Sequence, residues 1–231
     1  GVVYSERMGN HMELFGHYIY NYTDGYFYDG NPWLKTERAI NLDLNSTWET
    51  DAHSLSLTLF HKQFFNYIDG LPAETSGSQD FLFKQYANVG DATISGGELR
   101  TINRLSHVIS IENRASYLYA QNQTLNEPLP LIPPLKGNST LHLHTGPYKV
   151  MGALDWATAQ NRIADTASNE DRTDAFAVLN LTLERTWFNG SVTSVVHFNN
   201  LLDHEYHTHT SIGNIPEAGR SVMVSLNYSF R

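Results

Sequence analysis

Ser221-Val222-Met223-Val224-Ser225-Leu226-Asn227-Tyr228-Ser229-Phe230-Arg231 closes this sequence and alternates without interruption. Val222, Val224, Leu226, Tyr228 and Phe230 fall on one face. Ser221, Ser225, Asn227, Ser229 and Arg231 share the other with Met223. Period-2 alternation of this kind is a strand with one apolar and one polar face. Its eleven residues match the roughly 9–11 that a tilted strand needs to cross a bilayer. Ending on such a strand suits a barrel whose last strand closes against its first.

The same alternation recurs upstream. Ile40, Leu42, Leu44 and Trp48 oppose Asn41, Asp43, Asn45 and Thr47, and Leu55, Leu57 and Leu59 answer them against Ser54, Ser56 and Thr58. Ile109 and Ile111 oppose Ser110 and Glu112. Leu141 and Leu143 oppose His142 and His144, and Leu179, Leu181 and Leu183 oppose Asn180, Thr182 and Glu184. Strands are expected over 40–49, 54–68, 85–105, 107–121, 135–145, 148–158, 176–187 and 191–198. Asn189-Gly190 is the strongest hairpin signal in the chain. Residues 1–9 read as the tail of a further strand, which brings the total to about ten.

Connections near 50–53, 105–107, 145–147 and 188–190 are tight. Those at 10–34, 69–84, 122–134, 159–172 and 199–219 are long. Short–long alternation along a β-meander is the pattern of an outer-membrane barrel, with short periplasmic turns and long extracellular loops. Trp48, Tyr148 and Trp187 lie beside short turns, and Tyr228 and Phe230 at the matching end of the last strand, as an aromatic belt requires.

Composition narrows the classes. Net charge is −9 with only fifteen Lys plus Arg, so a nucleic-acid partner is not expected. There are no cysteines, which excludes disulfides and thiolate metal sites. No stretch approaches ~18 continuous apolar residues, so no helical membrane span is expected, a negative that leaves barrels untouched. No charged-then-apolar leader stands at Gly1.

Several short motifs, in order, carry a resemblance. Gly30-Asn31-Pro32-Trp33-Leu34-Lys35-Thr36-Glu37 opens a strand. Tyr86-Ala87-Asn88-Val89-Gly90-Asp91-Ala92 is followed by Gly96-Gly97-Glu98, and Ile132-Pro133-Pro134 leads from loop to strand. Asn200-Leu201-Leu202-Asp203-His204-Glu205-Tyr206 precedes Ala218-Gly219-Arg220. Together these resemble the C-terminal part of the β-barrel of TonB-dependent outer-membrane receptors. Two departures stand out: Ala218 replaces the usual Pro, and Arg231 follows the aromatic on which the family ordinarily ends.

The resemblance implies an all-β fold, a transmembrane antiparallel up-and-down β-barrel of twenty-two strands with an N-terminal plug. Residues 1–231 would supply its last ten or so strands, with the plug and its TonB box outside the chain. It implies an active transporter, not an enzyme, in the outer membrane of a Gram-negative bacterium. The partners would be the TonB energy-transducing complex, outer-membrane lipid and lipopolysaccharide, and a small metal or chelate substrate, with no resident cofactor. A siderophore-iron receptor of the same family, a passive porin and a barrel lipase or protease are the alternatives. No G-x-S-x-G nucleophile setting supports the last.

Substrate ligands are expected on the long loops, where two clusters stand out. Met8, His11, Met12 and His17 lie beside Glu13; thioether with imidazole suits copper, and imidazole with carboxylate suits zinc or nickel. His204, His207 and His209 lie with Glu205 in the last long loop. The competing reading packs the methionines in the barrel mouth and leaves the histidines as ordinary polar loop residues. His142 and His144 face the lumen, where polar side chains are required in any case.

Overall fold

The computed structural model describes residues 1–73, 82–164 and 170–230. Ten strands hydrogen-bond side by side, almost wholly in sequence order and always antiparallel. In chain order the strands are β1 (Val2–Arg7), β2 (Ile19–Asn21), β3 (Tyr26–Asp29), β4 (Glu37–Glu49), β5 (His53–Phe65), β6 (Ile68–Pro72), β7 (Phe83–Asn88) and β8 (Ala92–Arg104). Then come β9 (Ile109–Asn122), β10 (Glu127–Pro128), β11 (Lys136–Thr145), β12 (Tyr148–Ala157), β13 (Phe176–Trp187), β14 (Val192–Asn199) and β15 (Ser221–Tyr228). The wall runs β1-β4-β5-β8-β9-β11-β12-β13-β14-β15, with β10 paired to β9. The expected all-β, up-and-down antiparallel architecture and its ten wall strands are thus observed.

Register fixes what each face carries. Leu44 pairs Leu59, Leu57 pairs Leu99, Ile111 pairs Leu141, and Leu154 pairs Leu179, so aliphatic side chains form one continuous face. That face is bare: Leu44, Leu141 and Leu226 are all exposed, as they must be where lipid is the solvent. On the other face Glu112 receives Arg100 at 2.7 Å and Arg114 at 2.8 Å. Asp155 accepts from Asn138 at 2.6 Å and Asn180 at 2.7 Å, and Lys149 meets Glu184 at 2.7 Å. Arg100, Arg114, Asn138 and Asp155 of this ladder line a lumen-side groove of about 830 Å³. Two wall glycines are there for close approach. A Cβ on Gly137 would stand 2.5 Å from the Arg114 carbonyl oxygen, and one on Gly96 2.6 Å from that of Tyr117.

The tight turns lie where the sequence placed them. At 188–190 the backbone takes positive φ at Phe188, Asn189 and Gly190 in succession, which Asn-Gly makes possible. Beside it the Arg185 guanidinium stacks 3.4 Å over the Trp187 ring and 5.0 Å from that of Tyr148. Two of the belt aromatics, Tyr148 and Trp187, thus share one guanidinium at the short-turn end.

The long-loop end differs from expectation in two places. The single strand expected over 85–105 is two, β7 and β8, broken at Val89-Gly90-Asp91. Gly90 has φ +90, and a Cβ there would stand 1.9 Å from Thr124 Oγ1, so the chain turns against the 122–126 loop. The segment 10–34 is not plain loop either. It holds the one-turn helix α1 (His11–Phe15) and strands β2 and β3, which join β6 and β7 in a second sheet of order β2-β3-β7-β6. The β3–β7 pairing is parallel, Phe27 opposite Phe83. Part of the expected 69–84 loop, residues 74–81, lies outside the described residues. Ala92, Ala120 and Leu129 form a small core beneath these loops, packed by Phe64, Tyr67, Ile94 and Ile132.

Candidate functional site

The long loops build a cap over one end of the wall, and buried charge concentrates there. Arg7, at the end of β1, places Nη1 2.7 Å from Glu13 and Nε 3.0 Å from Glu37. Glu37 also accepts the Ile68 amide at 2.9 Å, tying β6 to the wall. Glu13 closes a capping box on α1: its carboxylate accepts from the Asn10 amide at 2.7 Å while Asn10 Oδ1 accepts from the Glu13 amide at 2.9 Å. Glu13 is therefore committed to structure. Lys84, fully buried, sits 2.5 Å from Asp24, which also accepts from the Tyr28 hydroxyl at 2.6 Å. Burial and the neighbouring Asp24 carboxylate push the Tyr28 phenol far above its ordinary range.

The first ligand cluster sits on this platform. Met8 follows β1 and is 76% exposed, while His11 and Met12 occupy the outward side of α1, also exposed. The His11 ring leans on Phe15 at 5.6 Å. His17 is spoken for by Asp29, whose Oδ1 lies 3.0 Å from His17 Nδ1. The cluster is thus an accessible rim of two thioethers and an imidazole rather than a closed cage.

The second cluster divides. Asn200 organises the loop, accepting from the His204 amide at 2.8 Å and donating to the His204 and Ala218 carbonyls at 2.8 and 3.3 Å. Asp203 accepts the Arg220 amide at 2.8 Å. The Asn200-to-Arg220 motif therefore works as a clasp that folds the loop back on itself. His204 is exposed and stacks parallel to Tyr206 at 6.4 Å, and Glu205 is exposed. His207 is half-buried, with Nδ1 buried and unpartnered.

His209 is buried. Its Nδ1 lies 3.2 Å from Thr173 Oγ1, and its Nε2 lies 3.7 Å from Glu170 Oε1, with no hydrogen bond. Glu170 accepts from the Leu131 amide at 2.5 Å and the Ala164 amide at 3.2 Å. Among the described residues no group of three or more His, Asp or Glu side chains is arranged to hold a metal. Of the sequence candidates only His209 meets a buried carboxylate. That partner, Glu170, lies in a different loop, and no spacing in the sequence points to it.

His209 and Glu170 open onto a cavity of about 270 Å³ that they share with Asp171, Asn214, Tyr22 and Asp24. The turn at 22–25 belongs to the first long loop and His209 to the last, so loops from the two ends of the wall meet here. This is the mouth.

The whole arrangement matches a known barrel. The family model for the β-barrel of TonB-dependent receptor-like proteins fits residues 3–201. The chain belongs to that family. Among solved structures it is similar to the copper transporter OprC, with 23% identity and a TM-score of 0.84 over 99% of this chain and 37% of that one. The siderophore receptor PirA from Acinetobacter baumannii aligns with 18% identity and a TM-score of 0.75, over 99% of this chain and 38% of that one. A mutant of the ferric enterobactin receptor PfeA from Pseudomonas aeruginosa gives 19% identity and 0.73, over 99% and 37%. The chain thus spans just over a third of the length of these proteins. No curated protein matches it in sequence.

Proposed function

We propose that residues 1–231 are the C-terminal part of the barrel of a TonB-dependent active transporter in the outer membrane of a Gram-negative bacterium. Its substrate is a transition metal, copper or zinc, or a chelate of one. The observation that carries this reading is the mouth. Loops from both ends of a lipid-faced wall converge on an acidic, His-lined cavity above a polar lumen. Imidazole and carboxylate are donors for a borderline cation, and the exposed Met8, His11 and Met12 rim adds thioether for a softer one. Likeness to a copper transporter favours the bare ion; likeness to siderophore receptors keeps a ferric chelate as the second reading.

In this scheme the barrel makes and breaks no bond. The rim (Met8, His11, Met12, His17) and the last loop (His204, His207, His209) would receive the substrate. The TonB complex would then supply energy through a plug outside this chain. The lipid face would meet phospholipid and lipopolysaccharide.

Uptake of copper, zinc and a ferric siderophore by cells carrying the receptor, with and without the proton gradient, tests the reading. Gradient-dependent uptake of one metal, reduced by joint Met8→Ala, His11→Ala and Met12→Ala changes, is the expected result. Leakage that ignores the gradient would make the protein a porin. Hydrolysis of lipid or peptide would make it a barrel enzyme. Gradient-dependent uptake of the siderophore alone would replace the bare ion with the chelate.

A further inference from the structure

We propose that the mouth cavity is a binding site for a divalent first-row transition metal, zinc by preference. Its two protein ligands are His209 Nε2 and Glu170 Oε1, with water completing the coordination. With Nδ1 protonated, the imidazole donates to Thr173 Oγ1 across 3.2 Å, and the Nε2 lone pair is then left for a metal. Nε2 is buried without a hydrogen bond, on a side chain only 1% exposed. A polar atom left so is costly unless something absent here satisfies it.

Glu170 cannot satisfy it as it stands. At 3.7 Å the two atoms are too far apart for a hydrogen bond, and the carboxylate is pinned by amides from two separate stretches, Leu131 and Ala164. A metal ion can bridge them. Zinc bonds nitrogen and oxygen at about 2.0–2.2 Å, which sets two tetrahedral ligands roughly 3.3–3.6 Å apart. The observed gap closes onto an ion with a shift of a few tenths of an ångström.

The surroundings agree. Imidazole with carboxylate suits zinc or nickel, whereas cuprous ion favours the thioethers that here stand apart on the exposed rim. Asp171 adds negative charge to the cavity wall, and a volume of about 270 Å³ leaves room for an ion with its water ligands. The contact with Thr173 holds the His209 ring, and the Leu131 and Ala164 amides hold the Glu170 carboxylate, before any ion arrives. An ion bound here would join the stretches that carry Leu131, Glu170 and His209 at one point, with the 22–25 turn opposite. Its role as a capture station for cargo rests on the transport reading, but binding itself does not.

The test uses the full-length receptor in detergent, with zinc chloride as the probe. Zinc affinity is measured by competition with a chromophoric chelator, and zinc is located by anomalous scattering in crystals. His209→Ala, His209→Gln and Glu170→Gln should each weaken the site by about 10-fold or more, while His53→Ala, at the short-turn end of β5, leaves it unchanged. His209→Gln keeps a polar side chain and guards against loop collapse as the cause; unaltered heat-modifiable migration verifies the barrel. A zinc peak between His209 and Glu170, lost in the variants, bears out the proposal. Zinc bound equally well by the variants, or a map with no peak between the two side chains, overturns it. None of these readouts involves a proton gradient. Gradient-independent uptake would therefore sink the transport reading alone, whereas a missing zinc peak, or variants that bind zinc as well as the parent, would sink this one alone.

Discussion

The wall and the cap of this molecule solve opposite problems with the same residue types. In the wall, large aliphatic side chains stand bare and charged groups pair in a wet groove. In the cap, charges such as Glu13, Glu37, Lys84 and Glu170 are buried among turns and short strands. A wall strand satisfies its backbone through its neighbours, so its side chains need only match lipid or water. A loop has no such ladder. Its geometry must be set by specific side-chain contacts, and among the described residues many of those involve a charged group. The wall is therefore tolerant on its polar face and strict on its apolar one, whereas the cap is strict at single ionic pairs.

The largest expected effect tests the cap. Lys84→Met leaves the Asp24 carboxylate beside Tyr28 without its buried cation. Removing one partner of a buried pair costs about 3–5 kcal/mol. Hydrogen exchange and limited proteolysis should show the β2-β3-β7-β6 sheet opening while the heat-modifiable migration of the barrel stays intact. If the barrel melts with it, the cap and wall are one cooperative unit and the contrast fails. Next comes the wall. Leu141→Arg, near mid-strand on the lipid face, should cost about 2–4 kcal/mol in equilibrium folding into vesicles. His142→Arg, one residue along and facing the lumen, should cost far less. Equal costs would mean the faces are wrongly assigned.

The same contrast explains what was legible in the sequence. Strand β13 falls on the expected bounds, Phe176–Trp187, because alternation and the Asn189-Gly190 turn are both local signals. The break between β7 and β8 was not legible: the alternation hardly changes across it, and the reason for it is Thr124, in another loop. Nor was the parallel β3–β7 pairing, which joins stretches far apart in sequence. At the mouth, residue type drew attention to His209, yet its loop neighbours His204 and His207 make different contacts, and its carboxylate neighbour is Glu170. Spacing finds ligands that share one element. It does not find ligands that two loops bring together.

Alkali offers a third test of the cap. Burial, reinforced by the Asp69 and Glu37 carboxylates, pushes the Tyr67 phenol up to about 12 from an ordinary 10. A folded-state value above the unfolded one means the neutral form is favoured in the native cap. That stabilisation is full below pH 10 and is lost as pH rises through about 12. Tyr67→Phe carries no proton to lose, so the gap between variant and wild type in cap protection should change across this window and be flat below it. A gap that stays constant from pH 8 to 12 would show Tyr67 to be freely titrating, and the small core around Ala92 and Ala120 to be wetter than its packing indicates.

The smallest expected effect returns to the wall. Lys149 and Glu184 meet at 2.7 Å, the kind of distance seen at Lys84 and Asp24, but Lys149 is half exposed to the lumen. A double-mutant cycle with Lys149→Met and Glu184→Gln should give a coupling of about 0.2–1 kcal/mol. Raising salt should shrink it further, because water and ions reach the pair. The same cycle on Lys84 and Asp24 should give a larger coupling that salt hardly alters. Matching couplings would mean that contact distance alone sets the strength of these pairs. Divergent ones would make burial the deciding variable, with Lys84 and Asp24 shut beneath the loops while Lys149 and Glu184 stand open to the lumen.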